Sequence, residues 1–343
     1  MLPEVALYLL TVLLLPALAG VAVGGFGVVM VARCAEADRA RAVRCAQVGQ
    51  ALAAPIAFMA SFLLETGPVG LPPVERWHVL PYAVGAAAIV GAIVSGMRSA
   101  WWVQWSIVAA ILGGLAWKFV VFPASNPYLQ AGLLGSIVLV GLLWSAVARD
   151  ACSVGMAMMA AIVFAGLGVL MVLANFASLG VMAFAVAAAL AGLGMVSGVL
   201  NLREAARLRA AASVQPSAVD AQSVGETCPA EAVCELVPWT AAAATALAAI
   251  ACVLALCGHA YNYGEVRPLH WAAILLSPFF ALLICRPCLR GVKPIVGVAW
   301  RAGLCLVVVL ATIINAAGHD DDADGGSGAA GSDPMMDMLE ESK

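Results

Sequence analysis

Apolar residues run through this chain in long uninterrupted stretches, separated by short polar loops, and the runs show no alternation with a period of two. A bilayer core roughly 30 Å thick is crossed by about 20 helical residues, and that length divides the chain. The division gives spans near 5–32, 43–64, 79–97, 101–122, 128–148, 151–173, 176–200, 239–258, 269–285 and 295–316. The runs are apolar on every side, whereas barrel strands alternate, so the pattern predicts an all-α polytopic transmembrane bundle of about ten spans. Two boundaries need argument. No charge follows Asp150 until after residue 200, yet one helix of that length would reach roughly 75 Å, so a turn is expected near Asn175 and Ser178. The 269–285 stretch is short and holds Pro278, which leaves a tilted span, a thinned region or a re-entrant piece open.

Composition agrees with this reading: 64% of the residues are hydrophobic and 11% charged, with a mean hydropathy of +1.00. That balance excludes an ordinary soluble domain, and no basic stretch points to nucleic acid. The expected organisation is one bundle domain over 1–316, with a loop at 201–238, followed by a disordered acidic tail over 317–343. The start of that loop, Leu202 to Arg209, is rich in helix formers and should extend the seventh helix.

Charge adds sidedness, because lysine and arginine are retained in the cytoplasm. With the 33–46 loop inside, thirteen basic residues fall on that side and four, Arg76, Lys118, Arg267 and Lys343, on the other. Both termini are then outside, and the setting is a plasma (inner) membrane. Tryptophan placement is consistent with headgroup belts: Trp101, Trp102, Trp105, Trp144, Trp239 and Trp300 sit near inner ends, and Trp77, Trp117 and Trp271 near outer ends. Gly20 and Gly24, and Gly194 and Gly198, have the small-xxx-small spacing of close helix contacts, and Gly24-Gly25 with Pro16 should bend the first span.

Candidate chemistry is sparse. Lys118, Arg98, Gln104, Asn201 and Asn315 all lie near span ends, which argues against a carboxylate proton relay. On the expected outer side, His259, Glu265 and His270 fall in or beside one short loop and form a candidate zinc or copper site. Their alternative role is as polar residues of a wet loop. On the inner side, Cys285 and Cys288 form a CxxC that, with Cys228 and Cys234, supplies four thiolates for zinc, although the C-x5-C gap is longer than usual. A redox role fits poorly: the pair follows the end of a span, where the helix dipole does not stabilise a thiolate. No nucleophile–base pair or phosphate-gripping loop marks an enzyme. Two functions remain, an uncoupled permease or channel for a small or lipid-like molecule, and a non-catalytic subunit packing on membrane partners or its own copies. A membrane metal-binding or redox protein ranks third. A polar-lined cavity open to one side would favour passage, and a solid bundle with an exposed small-residue face would favour the subunit.

Overall fold

A computed structural model describes residues 6–8, 10–34, 38–68, 76–97, 99–108, 110, 127–214, 236–261, 266–288 and 294–318. These residues are helices and their connections, with no strand among them. A π-helical turn over Leu10–Leu14 leads into α1 (Leu15–Arg33), which is followed by α2 (Arg39–Thr66) and, after a 3-10 turn over Arg76–Val79, α3 (Leu80–Ser95). Next come α4 (Pro127–Asp150), α5 (Ser153–Leu173), α6 (Ala177–Val214), α7 (Ala241–Tyr261), α8 (Pro268–Cys288) and α9 (Pro294–Ala317). Among the described residues, nine helices are long and apolar enough to cross a membrane. The expected fourth span is helical over 101–108, and most of the remainder lies outside the described residues. The protein is an integral membrane protein by this measure.

Local sequence explains the element boundaries. Helices α4, α8 and α9 each open on a proline, whose missing N–H costs nothing in a first turn. Between α5 and α6, Asn175 adopts a φ of 60°. The N–H of Phe176 returns to Met171 O at 2.8 Å and that of Asn175 to Val172 O at 3.1 Å. This is a Schellman closure with asparagine in the left-handed position, at the turn expected from the sequence.

Serine hydroxyls compensate for two of the helix prolines, Pro278 and Pro16. Pro278 offers no N–H to the Ile274 carbonyl four residues back, and Ser277 Oγ donates to that oxygen at 2.8 Å. Helix α8 therefore continues through Pro278, and a re-entrant break is not observed. Pro16 likewise leaves Val12 O without its usual partner, and Ser61 Oγ of α2 donates to it at 2.8 Å. The irregularity of the first span is thus the π turn ahead of Pro16, while α1 runs unbroken through Gly24-Gly25.

Helix directions follow from the contacts. Gly20 and Gly27 of α1 meet Ala53 and Ala46 of α2, so these helices are antiparallel. Gly24 and Gly25 meet Leu193 and Val196 of α6, so α1 and α6 are parallel. Helix α7 is central: it packs against α2, α3, α4, α5, α6 and α8. Its apolar window is 89% buried, against 11% for α9, which rests on α5 and α8 at the periphery. Ala241–Ala244, Ala246, Ala248, Ala249 and Ala251 are all buried, and such short side chains let the surrounding helices approach closely.

The described helices alternate so that Arg33, Arg39, Arg41, Arg44, Arg149, Arg203, Arg207 and Arg301 share one end of the bundle, called here the arginine end. Tyr8, Glu65, Ser178, Tyr261, His270 and Asn315 share the other, the tyrosine end. The belt reading of the tryptophans needs correction. Trp101, Trp102 and Trp300 are exposed, but Trp144, Trp239 and Trp271 are core residues. Trp144 Nε1 donates to Leu275 O at 2.9 Å, and Trp239 Nε1 to Ser153 O at 3.1 Å. In Trp144 and Trp239 the indole fills an interhelical gap and a carbonyl satisfies its single donor, whereas the buried Trp271 Nε1 has no such acceptor among the described residues.

Candidate functional site

Polar side chains concentrate at the two ends of the bundle, where they tie non-helical or irregular segments to the core. At the arginine end, residues 236–240 run into the bundle ahead of α7, with Leu236, Val237 and Trp239 buried. Five side-chain hydrogen bonds hold this segment. Gln47 Nε2 donates to Pro238 O at 3.3 Å, and Gln50 Nε2 to Val237 O at 3.4 Å. The Leu236 N–H donates to Asn201 Oδ1 at 3.2 Å, and the Trp239 indole to Ser153 O at 3.1 Å. The Ser95 and Thr240 hydroxyls share a bond of 2.7 Å, and Thr240 Oγ1 also accepts the Ala243 N–H at 3.0 Å, capping α7. The segment closes this end with neutral groups only.

At the tyrosine end, Glu65 lies in the last turn of α2. Its carboxylate accepts from Tyr8 OH at 2.5 Å and from Ser178 Oγ at 3.0 Å, joining the amino-terminal segment, α2 and α6. One turn earlier on α2, Ser61 grips the π turn, so α2 holds the first span at two successive levels. Beside this cluster Trp77 packs on Phe62 and Phe176, at centroid distances of 5.5 Å and 5.7 Å, and Phe176 stacks on Tyr261 at 5.1 Å. The Trp77 N–H donates to Tyr261 OH at 3.3 Å.

The expected metal ligands are partly in view. His259 is exposed in the last turn of α7. His270, in the first turn of α8, is 6% exposed and hydrogen-bonds Asn315 Oδ1 of α9 through Nε2 at 2.9 Å. This hydrogen bond occupies Nε2, which must give it up before that nitrogen could bind a metal. Glu265 lies outside the described residues. Cys285 is buried in the last turn of α8, and the backbone of Cys288 completes that turn. The Cys288 side chain, Cys228 and Cys234 lie outside the described residues. Among the described residues, no three His, Cys, Asp or Glu side chains are gathered closely enough to hold a metal.

Along the surface, α9 borders a groove of about 510 Å³ lined by Val296, Ala299, Trp300, Gly303, Leu304 and Val307. Every one of these side chains is apolar or absent, which suits an acyl chain or an apolar helix face and offers nothing to a hydrophilic solute.

Sequence reasoning overlooked Glu65 and Gln50. Glu65 stands one residue past an apolar run and reads as the start of a loop. Gln47 and Gln50, three apart on one face of an otherwise apolar helix, were the available signal of a polar contact at that end. No family model, curated protein or solved structure matches the chain.

Proposed function

We propose that this protein is a non-catalytic membrane subunit: a closed helical bundle in the plasma membrane, with its arginine end in the cytoplasm, that packs laterally against another membrane protein. The observation that carries this reading is the occupied centre. Helix α7 fills the centre of the described bundle with small side chains, Ala246 against Gly91 of α3 and Thr245 against Gly141 of α4, and the polar side chains that cross-link the described segments concentrate at the two ends. A conduit for a polar solute needs a wet, polar-lined path, which that packing does not provide. The peripheral α9, with Ala299 and Gly303 one turn apart on an exposed apolar face, is the surface best suited to close helix association. The arginine distribution supports the orientation, since basic loops resist export.

The experiment has two arms. Purified protein in proteoliposomes should pass ions and small solutes no faster than protein-free vesicles. A photoreactive side chain at Gly303 should form a discrete protein adduct in the native membrane, and one at the exposed Phe26 of α1 should give lipid adducts only. Solute flux above background, or lipid adducts alone at Gly303, would contradict the subunit reading.

A second reading, uncoupled passage of a small or lipid-like molecule, is favoured by one observation. The 236–240 segment is non-helical and held only by neutral hydrogen bonds, the kind of closure that can release without moving charge. Under that reading Gln50→Ala with Thr240→Ala would raise flux or lipid flip-flop several-fold. Under the subunit reading the same variant loses stability without gaining flux.

A further inference from the structure

The corner formed by α1, α2 and α6 is rich in arginines, and among the described residues Arg33, Arg39, Arg41 and Arg203 form no ion pair. Arg33 lies eight residues beyond Gly25, and Arg203 seven beyond the Val196 that Gly25 touches. At 1.5 Å per residue both stand roughly 10–12 Å past that contact, at one level of the bundle. Arg39, Arg41 and Arg44 occupy the first turns of the antiparallel α2, at the same end. Arg33, Arg39, Arg41 and Arg203 are exposed and Arg44 is half-buried. Among the described residues the only ion pair is Arg207 with Glu204, at 3.6 Å. In sequence the two segments at this corner, 33–46 and 201–214, carry seven arginines, these six and Arg209, against three acids, Glu36, Asp38 and Glu204, and no lysine, while the rest of the loop before Leu236 carries the acids Asp220, Glu226, Glu231 and Glu235.

Arginine presents a planar fork that matches phosphate oxygens in pairs, and it is more weakly hydrated than lysine. These forks sit in the last turn of α1, the first turns of α2 and the stretch of α6 beyond its apolar part, the level at which a bilayer crossed by these helices would carry its headgroups. A soluble or membrane partner would have to bring a matching acidic surface to this corner. A bilayer crossed by these helices would itself bring a phosphate plane to this level. We infer that the α1–α2–α6 corner is a binding surface for anionic phospholipids, with Arg33, Arg39, Arg41 and Arg203 gripping headgroup phosphates.

The test uses the full-length protein in neutral detergent, titrated with phosphatidylglycerol or phosphatidylcholine and read by native mass spectrometry. Phosphatidylglycerol should bind at least tenfold more tightly. A basic residue at an anionic surface is worth about fivefold, so Arg33→Gln with Arg203→Gln should weaken phosphatidylglycerol binding by roughly twenty-five-fold. Phosphatidylcholine has the same phosphodiester but no net charge, so its binding should fall less than that of phosphatidylglycerol, and the corresponding lysine variants should retain an intermediate affinity. If the double variant does not fold, Arg39→Gln with Arg41→Gln, both on exposed first-turn positions, reads the same surface. Equal affinity for the two lipids, or undiminished phosphatidylglycerol binding in a folded glutamine variant, would overturn the inference. Displacement of the lipid by inorganic phosphate at matched ionic strength would also overturn it, since the corner would then be a free-anion site. So would displacement by an acidic peptide, which would mark a protein-docking surface.

Discussion

Individual residues decide how closely these helices approach. A Cβ added at Gly27 would lie 2.6 Å from the Ala46 Cα, a backbone atom that cannot move aside without shifting α2. At Gly85 of α3, by contrast, no neighbouring atom lies within 4 Å of the added Cβ. Gly27→Ala should therefore destabilise the protein by about 1–3 kcal/mol, the range of core overpacking, and Gly85→Ala should be neutral or slightly stabilising. Thermal unfolding in detergent would register the difference. Serine 277 offers a second residue-scale test. Removing its hydroxyl exposes the Ile274 carbonyl that Pro278 leaves without an N–H, at a cost of about 1–2 kcal/mol. Restoring the N–H with Pro278→Ala should abolish that cost, so a double-mutant cycle over positions 277 and 278 should show coupling of comparable size. Purely additive effects would mean that the hydroxyl does not compensate for the proline.

Single elements show how far the amino-acid pattern carried. The turn between α5 and α6 was legible because fifty apolar residues cannot form one span, and asparagine tolerates the left-handed conformation it adopts there. Asn175→Gly should be accepted, whereas Asn175→Val should cost about 1–2 kcal/mol, because a β-branched side chain clashes at positive φ. Unchanged melting of the valine variant would argue against this closure. The continuity of α8 was not legible, since Pro278 looks the same in a broken helix and in one repaired by a neighbouring hydroxyl. Tryptophan placement misled for a related reason. Trp144 and Trp239 are near helix ends in sequence, but which face of the helix they occupy depends on packing partners far along the chain. Ser61, Glu65 and Gln50 were similarly invisible as contacts, because Val12, Tyr8, Ser178 and Val237 are distant in sequence.

Across the whole molecule, fold class and membrane embedding were written in composition and run length, and the central position of α7 was not. Its alanine content reads only as strong helix propensity until six helices are seen to surround it. The proposed function rests on that placement: a bundle whose axis is a close-packed helix is a packing unit, and one whose axis is wet is a conduit. The Tyr8–Glu65–Ser178 cluster and the 236–240 segment then act as closures that fix the two ends of the same solid core.

The most direct measurement is the reactivity of single cysteines along α7, at Ala244, Ala248 and Ala251, in an otherwise cysteine-free protein, toward a membrane-impermeant thiol reagent applied from each side. The closed bundle predicts no labelling of folded protein from either side, with full labelling after denaturation. Rapid labelling of these positions in the folded protein would reveal a water path along the bundle axis and would contradict the account.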